Sequence, residues 1–222
     1  MVVFTESWTV SLVGPTWFYG VDSIMQVLFA LVTLMIYFMS MKAYKFSKDP
    51  KYKHFGWGFA FISLAYLILS VSNLAIISKF YDGTVRGINF GNLFYLANIF
   101  FTLVGYCVLL LVSMKVKSKK LALLMFAFIS LFVLFSYQYY LKFHIVSLIL
   151  LLFIAHQFYE NYRQKRSINS GLVFTSFYLL AISEVFLLVM PYIPILYVVG
   201  NIFQLLGYLA MLIMTIRVIA RG

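Results

Sequence analysis

The chain has 222 residues, of which 64% are hydrophobic and only 10% are charged, with 17 Lys and Arg against 6 Asp and Glu. Soluble domains are about half apolar and a quarter charged, so this composition excludes a soluble protein and predicts an integral membrane protein. The net charge of +11 lies in short connections between apolar segments, which is typical of loops on the cytoplasmic side of a membrane rather than of a nucleic-acid partner.

The first 21 residues precede the apolar segments. They lack a basic start and a small-residue cleavage site, so they do not resemble a signal peptide. Trp8, Trp17, Phe18 and Tyr19 are side chains typical of the headgroup level of a bilayer. We therefore predict that residues 1–21 form an interfacial segment on the outer side of the membrane.

Seven apolar segments follow, each close to the roughly 20 residues that a helix needs to cross the hydrocarbon core. The predicted spans cover residues 22–44, 56–80, 92–114, 120–140, 143–162, 171–190 and 195–217. Pro50, Pro191 and Pro194 lie in the short connections, where helices must end. The sequence thus predicts an all-α, multi-pass protein of the cell membrane, with one transmembrane domain over residues 1–222.

The distribution of basic residues predicts the orientation of these spans. Fourteen of the 17 Lys and Arg residues fall on one side, and only Lys79, Arg86 and Lys142 fall on the other. Because cytoplasmic loops are enriched in Lys and Arg, the N-terminus is predicted outside and the C-terminus inside. The densest basic stretch is "KAYKFSKDPKYKH", with Lys42, Lys45, Lys48, Lys51 and Lys53. It predicts a face that binds lipid headgroups or docks a cytoplasmic partner protein, or one that serves topology alone.

The spans contain an internal repeat. Spans 2 and 6 align at an offset of 113, with the identical pairs Gly58/Gly171, Phe61/Phe174, Ser63/Ser176, Leu67/Leu180, Ser70/Ser183 and Leu74/Leu187. Spans 3 and 7 align at an offset of 102, with Tyr95/Tyr197, Phe101/Phe203, Leu103/Leu205, Gly105/Gly207 and Tyr106/Tyr208. The alignment predicts a first three-helix repeat over residues 22–114, a connector helix over 120–140 and a second repeat over 143–217, with both repeats crossing the membrane in the same direction. Sites in such proteins typically lie between the repeats.

This 3+1+3 plan of parallel repeats resembles two groups of seven-helix membrane proteins, the SWEET-like sugar transporters and the microbial rhodopsins. The resemblance covers the whole span plan and includes no sequence signature of either group. Residues 195–216 contain no Lys, so the retinal Schiff base of rhodopsins is excluded. No Pro-Gln pair occurs in the chain, and none of the prolines falls inside spans 1–3 or 5–7. Haem is also argued against, because no two histidines are expected at matching depth in neighbouring spans.

One acidic residue, Glu184, lies in the apolar core of span 6. A charge near the bilayer centre costs about 2.5–3.5 kcal/mol on insertion scales, so such a residue usually faces the bundle interior and has a function. Its repeat counterpart is Val71. Span 6 and span 7 should be antiparallel neighbours, because only a short turn joins them. We therefore predict that Glu184 lies near Asn201 or Gln204 and binds a ligand, a proton or an ion.

Polar stripes on two other spans are predicted to line the same site. Residues at helical spacing share a face, and the two stripes are Tyr197, Asn201, Gln204 and Tyr208 on span 7 and Tyr95, Asn98 and Thr102 on span 3. Asn73 ends span 2 on the outer side. These residues predict a polar pocket in the outer half of the bundle. The alternative is that their amides and hydroxyls only join helices, at about 0.6 kcal/mol for each hydrogen bond.

Three functions are compatible with this sequence. The first is a sensor or receptor that binds a small-molecule or lipid ligand, or a proton, in the outward-leaning pocket. The second is a small-solute transporter coupled to protons through Glu184, although few polar residues are apparent in the inner half of the spans. The third is a structural or assembly subunit. Neither a metal site nor a catalytic motif is apparent, so an enzyme is not predicted.

Overall fold

The structure is a computed structural model that describes residues 2–4, 10–12, 18, 20–81, 88–115, 119–134 and 139–220. Trp8, Trp17 and Tyr19, part of the predicted interfacial segment, lie outside the described residues, as do Arg86 and the end of the predicted connector at 135–138. Before the first helix, strand β1 (Val2–Phe4) pairs antiparallel with strand β2 (Val10–Leu12).

Seven helices form the rest of the described chain. Their bounds are α1 Val21–Ser47, α2 Pro50–Tyr81, α3 Ile88–Ser113, α4 Lys119–Leu134, α5 Tyr139–Lys165, α6 Ile168–Val189 and α7 Leu196–Ala220. Within the described residues, all except α4 are long and apolar enough to cross a membrane. Large apolar side chains such as Ile24, Phe38 and Phe128 remain 60–72% exposed, on a scale that soluble proteins do not tolerate. The chain is therefore a multi-pass membrane protein with at least six such helices.

The helix ends follow from local sequence. Lys48 adopts a left-handed conformation after α1, and its N–H closes the last turn on the carbonyl of Tyr44. Asp49 and Pro50 then start α2, because the carboxylate Oδ1 accepts the N–H of Lys51 at 3.0 Å and proline needs no N–H partner at the first helical position. Ser167 caps α6 by accepting the N–H of Ser170.

Six helices close into a ring. Along each half, successive helices pack as antiparallel neighbours, α1 on α2 on α3 and α5 on α6 on α7. The halves join at two seams, where α1 packs against α7 and α3 against α5. The predicted duplication relates each seam to the other, since α1 corresponds to α5 and α3 corresponds to α7. Helix α4 packs outside the ring, against α3.

The helix register differs between the two halves. A Cβ atom at Gly105 would lie 2.8 Å from the carbonyl oxygen of Gly58, so α2 and α3 approach closely where both residues lack side chains. The sequence offsets pair these residues with Gly207 and Gly171. Gly207 instead faces Leu180 and the carbonyl of Ser176, at 3.0 Å from a Cβ at that position. The α6–α7 pair is therefore displaced by five residues, about 7.5 Å of helix, from the α2–α3 pair.

Helix α5 begins earlier than the sequence suggested. The predicted connector ended at residue 140 and span 5 began at 143, whereas Tyr139 and Tyr140 already belong to α5. Tyr140 is buried and its hydroxyl donates to the carbonyl oxygen of Leu187 on α6. This hydrogen bond satisfies the phenol within the bundle and extends α5 by one turn.

Candidate functional site

Most of the predicted polar residues line a small cavity of about 60 Å³ between the two halves, here called the chamber. The predicted residues that line the chamber are Tyr95, Asn98, Thr102, Glu184, Tyr197, Asn201 and Gln204. They come from α3, α6 and α7, and each is at most 7% exposed. Two further predicted residues, Tyr208 and Asn73, are buried beside the chamber and hydrogen-bond to residues that line it.

Glu184 forms a buried pair with His144 of α5. The Nδ1 atom of His144 lies 2.5 Å from Oε2 of Glu184, and the two side chains are 5% and 3% exposed. The two residues meet because α5 and α6 are antiparallel. His144 lies five residues after the start of α5 and Glu184 five residues before the end of α6, both about 7.5 Å inside their helix ends. Such a short contact involves at least one charged partner or a shared proton.

The second ring nitrogen of His144 gives this pair its chemistry. Among the described residues, Nε2 has no hydrogen-bond partner, although His144 lines the chamber. With Nδ1–H donated to Glu184, a proton on Nε2 makes the pair neutral, and its loss leaves one negative charge. A water molecule in the chamber would partner Nε2 in either state, because water both donates and accepts. The pair can therefore exchange one proton with the chamber.

A second hydrogen-bonded group joins α2 to α7 across the ring. The amide Nε2 of Gln204 donates to the hydroxyl of Tyr66 at 2.5 Å, and that hydroxyl lies 2.9 Å from the hydroxyl of Tyr208. The Tyr66 and Tyr208 rings meet edge to face, and Phe29 packs against both. This group lies on the side of the chamber that points toward the basic end of the bundle, where the C-terminus of α1 and the N-terminus of α2 lie.

The asparagine amides donate hydrogen bonds within the protein. Asn98 donates to the carbonyl of Ala65 on α2 at 2.9 Å, and Asn201 donates to the carbonyl of Tyr197 on its own helix at 2.7 Å. Asn73 donates to Asp22 and Gln26 of α1. Asn98 and Asn73 thus join helices, as in the alternative interpretation of these residues, whereas the bond of Asn201 stays within α7. Their oxygens still contribute to the polarity of the chamber wall.

Asp22 is a second buried acid, 3% exposed. It is the first residue of predicted span 1, at the outer end of that span. Its carboxylate accepts the backbone N–H groups of Gly20 and Ser23 and the amide of Asn73. A carboxylate in the first turn also interacts favourably with the positive end of the helix dipole. Asp22 therefore stabilises the start of α1, in contrast to Glu184 in the chamber.

Buried apolar side chains pack beyond the chamber toward both ends of the bundle. Toward the end opposite the basic one, buried Phe18, Tyr140, Leu187, Met190 and Tyr197 pack together. Toward the basic end lie fully buried apolar side chains, among them Ile36, Phe59, Phe177 and Met211, all 0% exposed.

A larger cavity of about 480 Å³ opens at the basic end, here called the vestibule. All six ring helices contribute to its lining, as do residues of the α1–α2 and α5–α6 turns. Its polar wall includes Ser40, Ser113, Asn161 and Thr215. On α7, ten residues separate Gln204 in the chamber from Met214 in the vestibule, a rise of about 15 Å. The vestibule supplies the inner-half polar residues that the sequence analysis did not find.

The predicted basic face divides into two parts. Of Lys42, Lys45, Lys48, Lys51 and Lys53, only Lys51 lines the vestibule, and its Nζ lies 3.4 Å from Asp49. The backbone N–H of Lys51 lowers the pKa of Asp49. The remaining lysines of the stretch lie outside the vestibule lining.

Comparison with known proteins gives no match, whether to family models, to curated proteins or to solved structures. Within the described residues, no group of three or more His, Cys, Asp and Glu side chains is arranged to hold a metal ion.

Proposed function

We propose that this protein transports a small solute across the membrane and couples that transport to a proton bound by His144 and Glu184. The observation that carries the proposal is the placement of two polar cavities in one ring of helices. The small chamber holds the proton-exchanging pair, and the larger vestibule lies at the basic end. Both are lined by helices of the two halves, as expected for a site between repeats.

The cavity volumes favour a proton over an organic ligand in the chamber. Pockets for organic ligands usually measure about 300–1,000 Å³, so a chamber of about 60 Å³ has room only for a proton and a few water molecules. The vestibule, at about 480 Å³, has the volume that a small organic solute needs. The conformation then corresponds to a transporter open to one side, with seven spans and the basic end in the cytoplasm as the positive-inside rule predicts.

The carboxyl of Glu184 provides the direct test. In reconstituted protein, a pH step should shift the infrared carboxylate band of Glu184 as Nε2 of His144 gains or loses its proton, and Glu184→Gln should remove this difference band. Asp22→Asn is the matched control, because Asp22 is equally buried but bound to backbone N–H groups. A band that persists in Glu184→Gln would contradict proton binding at the pair.

A second candidate function is a proton-responsive sensor, the first of the functions that the sequence suggested. It is favoured by the small volume of the chamber, about 60 Å³, since a sensor needs to bind its proton without passing a solute. Proteoliposomes loaded with a pH-sensitive dye separate the two functions. Solute gradients should acidify or alkalise the lumen only if transport is proton-coupled, whereas a sensor gives the carboxyl band without flux. A structural subunit gives neither.

A further inference from the structure

We infer that the vestibule is a binding site for a small hydroxylated oxyanion, such as a phosphate monoester or a hydroxycarboxylate. The rim carries Lys51, Lys115 and Lys165, and Asp49 is the acidic residue among its lining side chains. Three positive charges less one negative charge leave the rim at +2. The inference deepens the proposed function and rests on it for the role of the oxyanion as the transported solute.

The rim lysines are available to an anion. Lys51 is already paired with Asp49 at 3.4 Å. No carboxylate in the described part of the chain lies within ion-pairing distance of Lys115 or Lys165. Lys115 also stands at a left-handed residue, with φ of 55°, just after α3 ends. Two unpaired ammonium groups at the mouth of a concave, partly apolar cavity attract oxyanions more strongly than the same charges on an open surface, because field lines concentrate there.

The wall of the vestibule offers the hydrogen bonds that a hydroxylated ligand needs. Ser40 is 1% exposed, lines the vestibule, and its Oγ has no hydrogen-bond partner among the described residues. The buried Oδ1 atom of Asn169 is also without a described partner. Buried polar groups are normally hydrogen-bonded. A ligand hydroxyl would satisfy Asn169 and an anionic oxygen would accept from Ser40, so the wall complements an oxyanion that carries hydroxyl groups.

The first experiment measures binding of glycerol 3-phosphate to the full chain in nanodiscs of phosphatidylcholine, by titration calorimetry without any gradient. Glycerol is the neutral control ligand and should not bind. The double variant Lys115→Gln/Lys165→Gln should raise the Kd by about tenfold, equivalent to about 1.4 kcal/mol. The matched variant Lys45→Gln/Lys53→Gln removes the same charge from the same end outside the cavity, and should change the Kd by less than about twofold.

A second variant tests the wall independently of charge. Ser40→Ala removes no described hydrogen bond of the folded protein, so its thermal unfolding should be unchanged, while the Kd should rise by about threefold for one lost hydrogen bond.

Equal weakening by the two lysine pairs would overturn the inference, because it would show attraction by the general surface potential. Absence of glycerol 3-phosphate binding to the wild type would overturn it as well.

A lipid headgroup carries the same chemistry as the free phosphate ester. In nanodiscs that also contain phosphatidylglycerol, native mass spectrometry should show whether the lipid is retained and whether Lys115→Gln/Lys165→Gln releases it. If phosphatidylglycerol is retained and competes with glycerol 3-phosphate, the site binds a lipid. If phosphatidylglycerol does not compete with glycerol 3-phosphate, the site binds the free solute. Because binding is measured without a gradient, its loss is distinct from failure of proton coupling, which the Glu184 infrared band and dye-loaded proteoliposomes report.

Discussion

Replacing both members of the His144–Glu184 pair should harm the protein less than replacing either one. Removal of one partner leaves an unpaired group in a site that is 3–5% exposed, and breaking a buried ion pair in this way costs about 3–5 kcal/mol. Replacement of both partners by apolar side chains of similar volume is often neutral or stabilising. His144→Phe and Glu184→Leu should therefore each lower the free energy of unfolding by about 3–5 kcal/mol, whereas the double variant should be more stable than either single variant.

The assay is a double-mutant cycle on reconstituted protein, unfolded with sodium dodecyl sulfate in mixed micelles and followed by tryptophan fluorescence. Independent residues give additive losses within about 0.3–0.5 kcal/mol, which here predicts a double variant destabilised by about 6–10 kcal/mol. The pair predicts a coupling energy of several kcal/mol instead. Additive losses would falsify the pairing of His144 with Glu184, and so remove the basis of the proton site. Ser183→Ala, next to Glu184 and without a described hydrogen bond, is the control for local repacking.

Three further predictions concern the surroundings of the cavities. Tyr66→Phe should lower the free energy of unfolding by about 1–3 kcal/mol, because Gln204 and Tyr208 both lose their partner. Tyr208→Phe should lower it less, since the Gln204 bond to Tyr66 remains. Equal losses for the two variants in the same unfolding assay would contradict the described network. Gly105→Ala should lower the free energy of unfolding by about 1–3 kcal/mol, because its Cβ would lie 2.8 Å from the carbonyl oxygen of Gly58. At Gly200 the nearest atom to an added Cβ belongs to the flexible Leu187 side chain, at 3.1 Å. Gly200→Ala should therefore lower the thermal unfolding temperature less than Gly105→Ala. Asp49→Ala should lower the free energy of unfolding by about 1 kcal/mol at neutral pH. Because the folded-state pKa of Asp49 is lowered, its stabilisation is present above the unfolded pKa and disappears as the pH falls through the folded pKa. The free energies of unfolding of wild type and variant should therefore converge in acid.

The sequence predicted the helices well, because hydropathy and prolines determine where a chain can cross a bilayer. Stripes at helical spacing also located six of the fifteen residues that line the chamber, since polar groups in apolar spans must face the interior. The role of His144 was missed. His144 lies one residue after the predicted start of span 5, whereas α5 begins at Tyr139. The predicted bounds therefore gave His144 too shallow a depth to match that of Glu184.

Other features of the structure lie beyond single-sequence reasoning. Tyr66 shares a helical face with Ser63 and Ser70, but its hydrogen bond to Gln204 appears only when α2 and α7 are brought together across 138 residues. The vestibule is a space between helices, so no residue pattern encodes it directly. The five-residue difference in register between the α2–α3 and α6–α7 pairs depends on side-chain packing, which sequence identities at fixed offsets do not report.

The two seams of the ring have a consequence for the energy that holds the halves together. A covalent connection between two binding units raises their effective concentration, to the millimolar range for a short flexible linker. At such a concentration, seams that bind the two halves with a dissociation constant of about 1 mM, a binding free energy of about 4 kcal/mol, would be sufficient for closure of the ring. Helix α4 belongs to the covalent connection between the halves and packs outside the ring, against α3. Co-expression of the two halves as separate chains would measure how much this connection contributes to closure of the ring.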